Sequence, residues 1–251
     1  MTDVYRFQRV LVLLLVVGIC SAADAGLIHR YSFNDNTAND SVGNVNGTLK
    51  GSAKIVDGKL VLDNGDKTCD DAGLSYLEFN GSVLPAKGTS VSLVIWITAK
   101  ENPQFARILD IGDKADADGQ AFIYLTCRHE DDQSRAAITA TDTGSKTYIS
   151  GPRLDDGKPH MAAIVIDGTA KQLHLFVDGK ESATAEDLGD NTLDQVRPVH
   201  NWIGKSGFDA DTGLSASIDE FRVYDNPLTA DEVAAINKAG PDELPATQPS
   251  K

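Results

Sequence analysis

Between Gly26 and about Ala239 the apolar residues of the chain recur with a period of two and are broken at short intervals by turn residues, a pattern of strands rather than helices. Val91-Ser-Leu-Val-Ile-Trp-Ile97 sets Val91, Leu93, Ile95 and Ile97 on one face. Gln120 to Cys127, Ala136 to Thr141 and Met161 to Ile166 read the same way. Asp167-Gly168 separates Met161–Ile166 from Leu173–Val177, and Asp178-Gly179 follows. Asp-Gly supplies the positive backbone torsions that hairpin turns require, so these runs are predicted to pair antiparallel. The pattern therefore predicts a single all-β domain of the sandwich type.

One short C-terminal helix is specified by its ends. Thr229-Ala-Asp-Glu232 has the form of a capping box, and Leu228 and Val233 occupy the hydrophobic-staple positions. Gly240-Pro241 stops the helix. The domain is thus expected to run over residues 26–240, and the proline-rich segment 241–251 to be a flexible tail.

Residues 1–25 stand apart from the sandwich pattern. Arg6 and Arg9 precede an apolar run from Val10 to Ile19, and Ala23-Asp24-Ala25 then forms a cleavage site, which predicts a secretory signal peptide. The run is too short to span a bilayer. A secreted, periplasmic or cell-envelope protein with no membrane insertion after cleavage is expected. Export leaves Cys69 and Cys127 in an oxidising compartment, where a disulfide between them and two unpaired thiols are both open. Cys127 also reads as a plain buried strand residue.

Composition narrows the partners. The chain has 251 residues, 41% of them hydrophobic, which is globular rather than disordered. Its 37 acidic and 23 basic residues give a formal charge of −14. Such a charge repels phosphate backbones, so no nucleic acid partner is expected.

His29-Arg-Tyr-Ser-Phe33, Asp40-Ser-Val-Gly-Asn44 and Asn46-Gly-Thr-Leu49 resemble the opening of the laminin-G-like jelly-roll modules of the concanavalin A-like lectin/glucanase superfamily. Leu77-Glu-Phe-Asn-Gly81, Val91–Trp96, His160–Val165, Leu175–Gly179, Trp202-Ile-Gly204 and Ile218-Asp-Glu-Phe-Arg-Val-Tyr224 resemble its later signatures in the same order. The resemblance implies a concanavalin A-like jelly-roll β-sandwich of two antiparallel sheets. It leaves the function open, since the fold hosts lectins, adhesion modules and glycosidases alike.

The catalytic families that the chain resembles carry Glu-x-Asp-x-x-Glu on one strand, and this string is absent. The five histidines have no metal-ligand spacing among themselves. Lys114-Ala-Asp-Ala-Asp118-Gly119 has the centre of an EF-hand loop, but Lys114 and Leu125 fill positions that calcium requires to be acids. The family often holds a structural calcium near its termini. Carried over to this chain, its ligands would be Asp35, Asp40, Asn44 and Asp219, and strand parity places Asp219 inward beside Phe221 and Val223. For sugar stacking, exposed aromatics are needed. Tyr148, Phe105 and Phe208 lie in polar, turn-rich surroundings, while Trp202 reads more as core, as does Trp96. The expected function is an exported, non-catalytic module that binds carbohydrate or an extracellular protein. A glycoside hydrolase with an atypical carboxylate pair and an adhesive cell-envelope protein are the alternatives.

Overall fold

The computed structural model describes residues 26–113, 121–140 and 146–245. The expected signal peptide lies outside these residues. The described chain forms β1 (Leu27–Tyr31), β2 (Gly47–Lys50), β3 (Lys54–Val56), β4 (Lys59–Leu62), β5 (Tyr76–Phe79), β6 (Val91–Lys100), β7 (Arg107–Gly112) and β8 (Phe122–Thr126). It continues through β9 (Ser134–Thr139), β10 (Thr147–Gly151), β11 (Asp156–Asp167), β12 (Gln172–Val177), β13 (Lys180–Ala185), β14 (His200–Ile203), β15 (Ala216–Tyr224) and the helix α1 (Ala230–Ala239).

The strands form two antiparallel sheets. The first runs β13-β12-β11-β6-β15-β4-β3, with β1 also paired to β15; the second runs β10-β9-β8-β7-β14-β5-β2. The predicted alternation in β6 is realised: Val91, Leu93, Ile95 and Ile97 point into the core between the sheets, while Val94 and Trp96 point away from it. Asp178 and Gly179 both adopt positive φ, of 51° and 77°, at the tight turn from β12 to β13.

Outward-facing Val94, Trp96, Met161, Val165 and Phe176 of the first sheet are covered by α1 through Val233 and Ile236. The capping box is formed as expected: Glu232 N donates to Thr229 Oγ1 at 3.3 Å, and Thr229 N donates to Glu232 Oε2 at 2.8 Å. Trp96 is buried, in this second cluster under the helix and not in the main core, with the Arg222 guanidinium 4.6 Å from its ring centre.

Two expectations are revised here. Residues after Gly240 were expected to form a flexible tail, but Arg222 Nη2 donates to the carbonyls of Pro241 at 2.7 Å and Glu243 at 2.9 Å. Arg30 Nη2 donates to the Asp242 carbonyl at 2.8 Å. The start of this segment is therefore strapped across the first sheet, because a guanidinium without exposed surface must find acceptors somewhere. The second revision concerns Asp219. A bulge between Ile218 and Glu220 breaks the alternation of β15, so Ile218, Phe221 and Val223 all face the core and Asp219 does not. The bulge falls where the neighbour of β15 changes from β4, paired to Ala216–Ile218, to β1, paired to Phe221–Tyr224.

Candidate functional site on the outer face of the second sheet

Strand parity sends one set of side chains from the second sheet into the core and the other outward. The register of the outward set aligns Thr48, Glu78, Trp202, Asp110, Tyr124, Ala137 and Tyr148 in a row, one residue from each of the seven strands. At ~4.8 Å between strands, Trp202 and Tyr148 stand about 19 Å apart. A second row aligns Arg107, Thr126, Arg135 and Ser150. A register shift between Arg107 and Leu109 lets Arg107 and Asp110 both face outward while Ile108, Leu109 and Ile111 enter the core.

Arg107 is the centre of this face. Its guanidinium lies 3.6 Å from the Tyr124 ring centre and 5.9 Å from that of Phe208. Its Nε stands 3.5 Å from Asp110 Oδ2, and its Nη2 stands 3.5 Å from Asp211 Oδ2. Asp110 Oδ2 also accepts from Gly207 N at 3.2 Å, and Asp110 Oδ1 is 2.8 Å from His200 Nε2. A carboxylate there fixes Nε2 as a donor of the His200 ring. The His200 ring stacks on Trp202 with centroids 4.1 Å apart. Burial pushes the Asp211 carboxyl above its usual range, against the pull of Arg107 and of the Ser206 hydroxyl.

A basic corner adjoins this cluster. Arg135 sits 4.5 Å from the Tyr148 ring centre, donates to Asp131 Oδ2 at 2.8 Å and places Nη1 3.3 Å from His129 Nε2. Burial, together with Arg135, lowers the His129 pKa to about 4, so this imidazole is neutral at pH 7. Phe105 packs edge-on to His129 with centroids 4.7 Å apart.

All four aromatics singled out in the sequence belong to this face or its rim. Tyr148 is 53% exposed and is the most open of them. Phe208 stacks edge-on to Phe122 at 6.0 Å, and Phe105 is held at the rim by His129. Trp202 also lies here instead of in the core, half-buried, with Nε1 donating to Glu78 Oε1 at 3.3 Å and Lys205 Nζ 4.9 Å from its ring centre. Sequence reading missed Arg107, Asp110, Tyr124, Arg135 and His200. The available signal was an arginine and an aspartate inside the otherwise apolar Arg107-Ile-Leu-Asp-Ile111 run, since charges in a central strand need partners. Two clefts lie elsewhere, one of about 470 Å³ beside Leu84, Leu193 and Val196, the other of about 320 Å³ between Phe176, Glu181 and Thr229.

The residues expected to hold calcium do not fit that role. Asp40 accepts from the amides of Arg30, Val42, Gly43 and Val45 at 2.9–3.2 Å and from His29 Nδ1 at 2.5 Å, which occupies both of its oxygens. Asp219 pairs with Lys59 Nζ, displaced from the core by the bulge. Asp35 accepts from Thr37 N at 2.9 Å and Thr37 Oγ1 at 2.7 Å, and Asn44 is exposed. Among the described residues no group of three or more His, Cys, Asp or Glu side chains could hold a metal ion. Of the two states left open for the cysteines, the structure has the unpaired one: Cys69 and Cys127 are buried free thiols. Cys69 Sγ accepts from Ser206 N at 3.2 Å beneath the outer face, whereas Cys127 packs in the core between the sheets. Burial raises the Cys69 thiol to about 11 and the Cys127 thiol well above its usual value.

Residues 71–234 match the family model Laminin_G_3, described as concanavalin A-like lectin/glucanases superfamily. No curated protein matches the chain. Among solved structures, domain 4 of AbnA, a GH43 extracellular arabinanase from Geobacillus stearothermophilus solved in complex with arabinotriose, aligns with a TM-score of 0.62 at 19% identity over 84% of this chain and 97% of that one. The Ruminococcus gnavus IT-sialidase CBM40 bound to α2,3-sialyllactose aligns at 0.51 and 19% identity over 59% and 83% of the two chains. A botulinum neurotoxin type C structure, described as depending on two ganglioside molecules for cell entry, aligns at 0.64 and 12% identity over 85% of this chain, which spans 51% of the toxin chain. At these identities the likeness is one of fold.

Proposed function

The chain belongs to the concanavalin A-like lectin/glucanases superfamily, and from that premise we propose that it is an exported, non-catalytic module that binds a glycan on the outer face of its second sheet. The observation that carries this reading is the cross-strand row Trp202, Asp110, Tyr124, Ala137 and Tyr148, whose accessible rings stand at its two ends, with Asp110, Tyr124 and Ala137 buried between them and Arg107, Arg135 and His200 alongside. A pyranose ring offers apolar C–H faces to aromatic rings and hydroxyls at its edge to short polar groups. Tyr148 supplies an open ring at one end, Trp202 a half-buried one at the other, and the charged groups lie between them. A row of this length suits an oligosaccharide. That the solved relatives include structures with arabinotriose and sialyllactose agrees with this reading.

Hydrolysis draws on the same face, since Asp110 and Asp211 could be taken for a carboxylate pair. Both lie 3.5 Å from the one Arg107 guanidinium, which holds them together in an ion-pair cluster, and binding is the reading proposed. The test is a glycan array followed by titration calorimetry on the best ligand. Tyr148→Ala, an exposed substitution that spares the fold, should weaken binding about two- to tenfold, from the roughly 0.5–1.5 kcal/mol of an aromatic contact. Binding to no glycan, or to extracellular proteins alone, would overturn the proposal, as would full affinity in Tyr148→Ala.

A further inference from the structure

The basic corner of the outer face has hydrogen-bond donors in excess of acceptors. Nine buried side-chain polar atoms among the described residues have no partner, and Arg107 Nη1, Arg128 Nε, His129 Nδ1, Arg135 Nε and His200 Nδ1 account for five of them. Guanidinium nitrogens can only donate. His129 faces the Arg135 guanidinium through Nε2, which must accept, so its Nδ1 carries the proton and is a donor as well. Four unmatched donors thus gather where β7 begins, β8 ends and β9 begins, while His200 Nδ1 lies on β14. Arg107 has only 4% of its surface exposed, and a buried donor left unpaired costs about 1–3 kcal/mol, more when charged.

A group that complements donors without offering any of its own is an oxyanion. A neutral sugar hydroxyl brings a donor with each acceptor; a carboxylate or sulfate brings acceptors alone, and arginine binds both in a fork geometry. Resting on the glycan reading above, we propose that this corner makes the module selective for acidic glycans, whose carboxylate or sulfate oxygens are received by Arg107 and Arg135. Tyr148, with Arg135 against its ring, stacks on the sugar that bears the charge. Lys146 adds a third cation: partial burial and repulsion from Arg107 and Arg135 lower its pKa, which marks a locally positive field in a chain of formal charge −14.

The experiment compares matched ligands on the wild-type protein, so that it does not depend on a variant folding. A galacturonate tetramer, its fully methyl-esterified counterpart and a sulfated tetrasaccharide are titrated in parallel. At least tenfold tighter binding of the carboxylated or the sulfated member than of the neutral ester is expected, and which of the two leads identifies the oxyanion. Arg107→Lys, which keeps the charge but loses the fork, should bring that preference close to unity while its melting curve stays cooperative. Equal affinity for the acid and the ester would overturn the oxyanion site and leave the glycan reading standing. Binding to no sugar in this set or on the array would overturn both.

Discussion

Asp219 keeps about a quarter of its side chain in solvent beside Lys59, whereas Glu220 next to it has no exposed surface and is gripped by Arg222 and, at 2.9 and 3.0 Å, by Arg30. An exposed ion pair contributes about 0–1 kcal/mol, so Asp219→Asn should move the urea midpoint little. Removing one partner of a buried ionic group leaves an uncompensated charge at a cost of about 3–5 kcal/mol. Glu220→Gln should therefore lower the melting temperature by roughly 6–20 °C; a shift no larger than that of Asp219→Asn would refute the contrast. His129 gives a pH dependence with a definite sign. Its imidazole titrates near 6.5 when unfolded and about 4 when folded, so between these values the unfolded chain holds the extra proton. Stability should fall as the pH drops from 6.5 to 4 and level off below. Urea midpoints across that range should fall less in His129→Gln than in the wild type, and an unchanged slope would assign the acid sensitivity to other groups. Neither residue was identifiable by type alone: parity predicted the wrong orientation for Asp219, and His129 is shifted by its burial and by Arg135, both set by the fold.

Strands whose partners run alongside for their whole length kept the alternation written in the sequence, as β6 did between β11 and β15. The last strand did not, because it must serve β4 along one stretch and β1 along another, and the bulge at Asp219 is where it changes partner. Helix α1 was legible at both ends, since capping is a local exchange of hydrogen bonds within a few residues. The strap that follows it was not. Its composition reads as tail, and it is held by Arg30, Arg222 and Asn34, all distant in sequence. Ending the chain after Ala239 should accordingly lower the unfolding free energy by about 1.5–3 kcal/mol, the scale of hydrogen bonds to a charged group, relative to a chain ending after Pro245. Equal stability of the two truncated proteins would show the strap to be idle.

Across the whole molecule, sequence determined what depends on neighbours along the chain: strand periodicity, the Asp178-Gly179 turn, the helix caps, the family signatures and the acidic net charge, whereas in the β11–β12 hairpin the positive φ falls on Lys171 and not on Asp167-Gly168. It also picked out Tyr148, Phe105 and Phe208, because aromatics stranded among polar turn residues lack the pattern that would bury them. Tertiary structure alone decided which of these residues share a face. The second sheet orders its strands β10-β9-β8-β7-β14-β5-β2, so Trp202 and Glu78 stand beside Asp110 and Tyr124 although long stretches of chain separate them. The same arrangement left Cys69 and Cys127 apart as unreactive thiols and turned the calcium-like loop carboxylate of Asp40 into an acceptor for its own backbone. The physical reason is that periodicity fixes only which side of a strand a residue occupies, while the partner across the ladder is set by the order of strands, by the register of each pair and by the bulges that shift it.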